Sequence, residues 1–480
     1  MPALQDNPAT AWSDAVRPPR PTGVLHLGLG GFHRAHQAMV FDALLRAGDP
    51  RWAVTAVGMR QTALADGVAA RGGRYPVRVA DAQGQAWHWV EAVRRTLVAA
   101  RERDAVVRAI AEPVLRWITL TVTEKGYGPE LAALLVDGLR ARRAAGGGGL
   151  TIASCDNLRD NGHALKRLVL KAAAELSGGG ADDAPVDGAG FAPVEQPGDG
   201  LDLVAWITAT CAFPNSMVDR IVPAPTLALQ QQAQAELGPL ADHALVTEGF
   251  WEWVIEDRLH DPADAQVLRS AGVQVVDDVR PYEDAKLRLL NGSHSALAFL
   301  GVLAGWPTVD AFVADPLARG WLQGLMREEL GPGLRRTDWP DYAQALLQRF
   351  ANPALGHRTQ QIATDGSQKI PQRWVPVLEA RLQAGQPVPH LALAAAAWMD
   401  LWRGRAEDGT PIEVGDPLAA RLRALAQACP DDPAATVRAL GTLPEVWGPA
   451  LPASAPWLSA VESSLRRLRS HGVRACLAAS

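Results

Sequence analysis

Three residue types able to do chemistry lie close together near the middle of the chain. In Glu283-Asp284-Ala285-Lys286-Leu287-Arg288-Leu289-Leu290-Asn291-Gly292-Ser293-His294, a lysine, an asparagine and a histidine open a long apolar run. A lysine can give or take a proton, and an amide N–H and an imidazole N–H can donate to an oxygen that gains negative charge. On an α-helix, at about 100° per residue, Asn291 falls about 140° and His294 about 80° from Lys286. All three then share one side of a helix and can converge on one small polar group. The plainer reading of the same spacing is a lysine that snorkels to the surface, an asparagine that caps, and a histidine satisfied inside a core.

Such a group needs a scaffold, and the composition provides for one. The chain has 480 residues, is 48% hydrophobic and carries a net charge of -5, which allows two or three domains and a large core. It has no Lys/Arg-rich block, which argues against nucleic acid as a partner and for small molecules. Cys155, Cys211, Cys429 and Cys476 lie far apart without a C-x-x-C pair. They read as free thiols of a reducing, cytoplasmic compartment and not as a metal or disulfide framework. Met1 to Pro21 has no apolar core of a secretion signal. The longest uncharged run, Asn291 to Val309, contains Asn291, His294, two serines and Pro307, so it reads as a buried helix and not a membrane span.

Taken in order, the first half alternates strand-like and helix-like segments. Val24–Leu29 and Trp52–Val57 are apolar runs on either side of a helical stretch, Phe32–Ala47, the opening of a βαβ unit in a doubly wound α/β sheet. The turn between them, Gly28-Leu29-Gly30-Gly31-Phe32-His33, matches G-x-G-x-x with His33 where a third glycine is usual. A glycine turn here lets backbone N–H groups approach a pyrophosphate, which makes these six residues a candidate dinucleotide site. After the second strand an acid would bond the ribose of NAD, but the chain has Arg60. That arginine suits adenine stacking or a 2′-phosphate, or is simply solvated, so NADP stays open beside NAD. Two further apolar runs, Val114–Val122 and Leu150–Cys155, end in Thr123-Glu124 and Asp156-Asn157. Ligands of open α/β sheets sit beyond such carboxyl ends, although turn formation and capping account for the same residues.

Ser177–Gly200 collapses to Gly, Ala, Asp and Pro, as a flexible acidic insertion would. Leu203–Thr208, Trp251–Asp257 and Val273–Val276 read as the remaining strand-like segments. From Lys286 on, alanine- and leucine-rich stretches predict a mainly helical second half. The expected division is therefore residues 1–285 and 286–480. One polar stretch interrupts the helices, His357 to Lys369 with Arg373 beyond it. Its turn, Asp365-Gly366-Ser367, flanked by basic residues, suits an anionic or hydroxyl-rich ligand, as it also suits an ordinary surface.

The pieces Gly28–His36, Thr123–Tyr127, Ser154–Gly162, Phe213–Arg220, Trp253–Asp257, Lys286…Asn291…His294 and Asp365–Lys369 resemble, in order, the mannitol dehydrogenase family of zinc-independent polyol and sugar-acid dehydrogenases. The resemblance covers nearly the whole chain. It implies an N-terminal Rossmann domain, a mainly α-helical C-terminal domain and a site between them. It implies Lys286 as the catalytic lysine, Asn291 and His294 as the pair that polarises a carbonyl, and Glu283 as a proton-relay carboxylate. Asn157, Asp219 and Lys369 match positions that contact substrate or order the site. His33 in place of the third glycine belongs to the family pattern. Such a lysine works near neutral pH only if burial and a nearby cation lower its pKa; Lys369 and the apolar helix are the candidates to do so.

The string His357 to Arg373 resembles the fructuronate reductase (D-mannonate oxidoreductase) branch, and Gln361 stands where mannitol 2-dehydrogenases tend to have arginine. A uronate carboxylate would pair with Arg358 or Arg373. The expected activity is NAD(P)-dependent, metal-free reduction of D-fructuronate to D-mannonate. Oxidation of mannitol or arabinitol is the second reading and a non-catalytic NAD-binding sensor the third. A monomer is plausible, with neither nucleic acid nor membrane as partner.

Overall fold

Val24-Leu25-His26-Leu27 and Trp117-Ile118-Thr119-Leu120 are buried at every position, as strands of a parallel sheet covered on both faces must be. In the computed structural model, which describes residues 21–81, 84–178 and 199–479, they are the two central strands of a sheet in the first of two units. The first unit ends at Arg280 and the second begins at Pro281.

In the first unit, five strands pair in the order β5-β2-β1-β6-β7, all parallel. They are β1 (Val24–Leu27), β2 (Val54–Gly58), β5 (Val93–Val98), β6 (Trp117–Leu120) and β7 (Thr151–Ser154). Successive side chains alternate between two apolar clusters. Val24, Val54, Ala56 and Trp117 enter one, and Leu25, Leu27, Val57, Ile118 and Leu120 the other. Both faces are thus covered, and strand order reverses beside β1, the switch point at which such folds bind ligands.

Two smaller sheets complete the unit. One pairs β4 (Gly84–Val90), β3 (Tyr75–Asp81) and β9 (Leu245–Glu248); the other pairs β11 (Gln274–Val276), β10 (Glu252–Glu256) and β8 (Ser216–Asp219). The stretch Phe32–Ala47 is not one helix. It forms Gly31–Ala35 and Gln37–Arg46, broken where His36 leaves helical geometry at φ -129° and ψ -90°. Leu203–Thr208 is not a strand but part of the helix Asp199–Thr210, packed on the helix Asn161–Gly178. Leu203 and Ile207, four apart, are buried and Asp202 and Thr208 are exposed, a helical stripe that the apolar composition hides. Of the presumed insertion 177–200, the two ends belong to these helices and residues 179–198 lie outside the described residues.

The second unit is helical. Its central helix, Pro389–Leu401, is buried from His390 to Leu401 and packs against Ser293–Ala304 and the last helix, Ala455–Ala478. Trp447 sits between Trp398 and Trp457, with ring centroids 5.7 and 5.3 Å away. The continuous helical stretch Arg280–Ala304 is long and apolar enough to cross a membrane, but 78% of its apolar window is buried inside the protein, as in a core helix.

Candidate active site

The glycine turn follows β1 directly. Gly28 has φ +107°, and a Cβ there would lie 2.2 Å from the Thr121 carbonyl oxygen, so only glycine fits. The turn is fastened by Gly28 N–H and Leu29 N–H donating to Val57 O at 2.8 and 3.1 Å, and by Gly30 N–H donating to Gly28 O at 2.6 Å. No side chain caps the helix that begins at Gly31, so its first N–H groups remain for an outside acceptor such as a phosphate.

Beneath the turn lies His26. Its Nε2 is 3.1 Å from Gly28 O and its Nδ1 is 2.8 Å from Thr119 Oγ1. A neutral ring fits both bonds, Nε2–H donating and Nδ1 accepting, and burial lowers its pKa to about 3. His33 stacks on it with centroids 3.4 Å apart and planes 11° from parallel. Burial and the neighbouring His26, Arg34 and His36 hold His33 well below its ordinary pKa. The position that lacks a glycine is therefore filled by one half of a neutral, stacked pair that supports the turn from below.

At the end of β6, Thr123 has φ +67°, a strained value for a β-branched residue. Asp156 holds it there, accepting Thr123 N–H at 2.7 Å, Val122 N–H at 3.2 Å and the Tyr127 hydroxyl at 3.1 Å. Thr123 and Glu124 are exposed on this turn and Asn157 is exposed beside Asp156, whereas Asp219 is buried at the end of β8. Arg60 is exposed and its guanidinium lies 3.2 Å from the equally exposed Glu130, a pairing of little energy.

In the second unit, Lys286 does not begin an α-helix. Residues Lys286–Gly292 wind as a π-helix before Ser293–Ala304 continues as α-helix, the kind of irregularity that gathers at functional sites. Its wider turn leaves carbonyls for other donors. Arg373 Nη1 donates to Asn291 O at 2.9 Å and to Ser295 Oγ at 2.8 Å, and Trp374 Nε1 donates to Gly292 O at 3.1 Å. The backbone of Asn291 is thereby fixed, while its buried amide nitrogen, Nδ2, has no partner among the described residues. The His294 ring stacks on Phe350 at 4.4 Å and meets the His357 ring edge-on at 5.6 Å. Glu283 lies one turn earlier, on the helix Arg280–Ala285.

In the polar stretch after His357, the turn leads straight into a helix. Asp365, at φ +55°, leads into a helix, Gly366–Arg373, whose Ser367 donates to Asp416 through both N–H (2.8 Å) and Oγ (2.6 Å). The turn residues are thus occupied within the fold, and Lys369 and Arg373, four apart on one helix face, are the two cations of this helix. Lys369 Nζ donates to the carbonyls of Ile362 at 3.1 Å and Thr364 at 2.6 Å. Burial first, and then Arg373, lowers its pKa to about 8. Arg358 is exposed, and its backbone forms a bridge with Thr308.

Several of these residues carried no signal in the sequence. His26 was one polar residue in an apolar strand, Asp156 read as a turn residue, Phe350 and Ser295 had no motif of their own, and His357 was noted only as the first residue of a polar stretch.

The family model of the mannitol dehydrogenase Rossmann domain matches residues 22–265, and that of the mannitol dehydrogenase C-terminal domain matches residues 278–468. D-mannonate oxidoreductase of Escherichia coli (strain K12) is 35% identical over 489 residues, covering 95% of each chain. Mannitol 2-dehydrogenase of Phaeosphaeria nodorum is 34% identical over 442 residues, 85% of this chain and 73% of that one. Among solved structures, Pseudomonas fluorescens mannitol 2-dehydrogenase in complex with NAD and D-mannitol superposes with a TM-score of 0.79 at 31% identity, covering 98% of this chain and 95% of that one. The chain belongs to the mannitol dehydrogenase family and is a dehydrogenase acting on CH–OH groups.

Proposed function

We propose that this enzyme interconverts a keto sugar acid and its alcohol, reducing D-fructuronate to D-mannonate with NADH. The observation that carries the reading is the pair Lys369 and Arg373. Both lie on the helix that packs on Lys286–Gly292; the Lys369 ammonium donates to backbone carbonyls, and the carboxylates of Asp365 and Asp416 act on it less than burial and Arg373 do. Two cations on the helix that fixes Asn291 favour an anionic substrate over a neutral polyol. The name of the Escherichia coli relative points the same way.

In this reading the first unit holds the dinucleotide on the Gly28–His33 turn. When bound, the nicotinamide supplies the hydride. Asn291 Nδ2–H and a ring N–H of His294 donate to the carbonyl oxygen as it becomes an alkoxide, and the Lys286 ammonium gives that oxygen its proton. Glu283 returns a proton to Lys286, and Asn157 and Asp219 order the substrate. The solved relative in complex with NAD supports NAD as the cofactor, and the exposed Arg60 leaves NADP open beside it.

Steady-state rates with fructuronate, tagaturonate, fructose, mannitol and arabinitol, each with NAD(H) and NADP(H), test the assignment. Fructuronate with NADH should give the highest kcat/KM. A preference for fructose or mannitol, in keeping with the likeness to the Pseudomonas fluorescens enzyme, would replace the uronate reading with the polyol one.

A further inference from the structure

His357 lies outside the set that polarises and protonates the carbonyl, yet its ring stands beside His294 at 5.6 Å and 87°. Its backbone is held in place. His357 O accepts Val309 N–H at 3.0 Å, and Thr359 fastens the next turn through N–H to Pro307 O at 3.1 Å and Oγ to Trp306 O at 2.7 Å. The ring therefore has a fixed seat on a loop that follows Gly356, at φ +54°.

The side chain is only partly covered, but its Nδ1 is buried and has no hydrogen-bond partner among the described residues. An enclosed ring nitrogen without a partner is costly, and folds retain such groups mainly where something else completes them. Asn291 Nδ2, three residues from His294, is in the same condition. Burial and the nearby Lys369 lower the His357 pKa to about 4, so at neutral pH the ring is uncharged. A neutral imidazole can accept as well as donate a hydrogen bond, whereas Lys369 and Arg373 can only donate. Of the polar groups around His294, His357 is thus suited to a hydroxyl group and the two cations to a carboxylate.

We propose that His357 is a substrate-binding, specificity-determining residue whose Nδ1 hydrogen-bonds a hydroxyl on the carbon chain next to the carbonyl held by His294. Groups bonded to two rings that touch edge-on are close neighbours on one small molecule. The enclosure of Nδ1 excludes competing water, which strengthens the discrimination between a hydroxylated chain and one lacking that hydroxyl.

This proposal rests on the reading that Asn291 and His294 hold the reacting carbonyl, and its test is kept separate from the choice of substrate. H357F, H357N and H357A are assayed on whichever substrate of the panel the unaltered enzyme prefers, with KM, kcat, NADH affinity and thermal midpoint measured for each. H357F keeps a ring against His294 but removes the nitrogen. It should raise KM about tenfold or more, the loss of roughly one good hydrogen bond, with NADH affinity unchanged. H357N restores a polar atom and should recover most of that loss. Wild-type KM in H357F would show that the ring only packs and would overturn the proposal. So would equal KM in H357F and H357N, or variants that lose thermal stability while KM stays constant. A preference of the unaltered enzyme for fructose or mannitol would sink the uronate reading and leave the His357 result standing by itself.

Discussion

Lys286 and Asn291 stand five residues apart on the π-helix Lys286–Gly292. A π-helix closes its hydrogen bonds from i to i+5, so residues at this spacing come much nearer to one line than the ~140° separation an α-helix gives them. In the proposed reaction, the winding of the backbone brings together the proton donor and the oxyanion donor. Inserting an alanine after the half-buried Leu287 sets the two residues six apart, about 120° from each other on an α-helix, and should swing Lys286 away from Asn291. The expected result is a folded protein that binds NADH normally and loses about 10²–10⁴-fold in kcat, the range associated with a positioned acid or base. An insertion variant with kcat near wild type would show that the juxtaposition is incidental.

Gly28 gives the corresponding test for the first unit. Alanine there must accept φ +107° and a Cβ 2.2 Å from Thr121 O, so the turn has to move off its bonds to Val57 O. G28A should weaken NADH binding, followed by fluorescence titration, by more than about tenfold, since each ~1.4 kcal/mol is a factor of ten. Alanine at Gly30, where a Cβ would meet only Gly28 O at 3.8 Å, should cost less. If the two variants bind alike, the tight turn is not what the cofactor reads.

Asp156 and Thr123 link folding to pH. Burial raises the Asp156 pKa above its ordinary 3.8, partly offset by the N–H groups of Thr123 and Val122. A carboxyl whose folded pKa is raised contributes stability that is present at low pH and lost as pH rises through the folded value. D156N removes the buried charge and keeps one acceptor oxygen, while D156A leaves two backbone N–H groups unmet. Urea unfolding should find D156A destabilised by about 1–3 kcal/mol at pH 7. The gap between wild type and D156N should move in favour of asparagine between pH 4 and pH 7. A gap that is constant over that range would contradict the raised pKa.

Much of what the proposed site uses could be picked out by residue type alone, and what escaped did so for identifiable reasons. The glycine turn was legible because Gly28 answers a local steric demand, and Lys286, Asn291 and His294 because their order and chemistry survive any helical winding. The π-helix was not legible: Leu287 to Leu290 suit α- and π-winding equally, and the choice depends on outside donors, Arg373 and Trp374, some 80 residues on in sequence, that satisfy the freed carbonyls. Leu203–Thr208 was misread because its short apolar run lacks polar punctuation, and only its packing partner makes it a helix. The Asp365-Gly366-Ser367 turn looked available to a ligand because its partner, Asp416, lies 49 residues beyond Ser367. His357 and His26 are single histidines whose roles depend on rings distant in sequence.

Lys369 supplies the last prediction, because its pKa of about 8 falls inside the range where the enzyme can be assayed. Below that value the ammonium is charged and contributes to holding an anionic substrate; above it the charge is lost. KM for fructuronate should therefore rise as pH passes through about 8, while KM for fructose, which has no carboxylate, stays level. K369R should abolish the rise, because a guanidinium keeps its proton throughout, and K369M should show a high KM at every pH. Stability should move the other way. A lysine whose folded pKa lies below the ordinary 10.5 leaves the unfolded chain holding more protons between those values, so stability increases with pH from about 8 toward 10.5 and this increase disappears in K369M. If K369M keeps the wild-type pH dependence of KM, the titrating group is another residue, and the case for a carboxylate held at Lys369 fails with it.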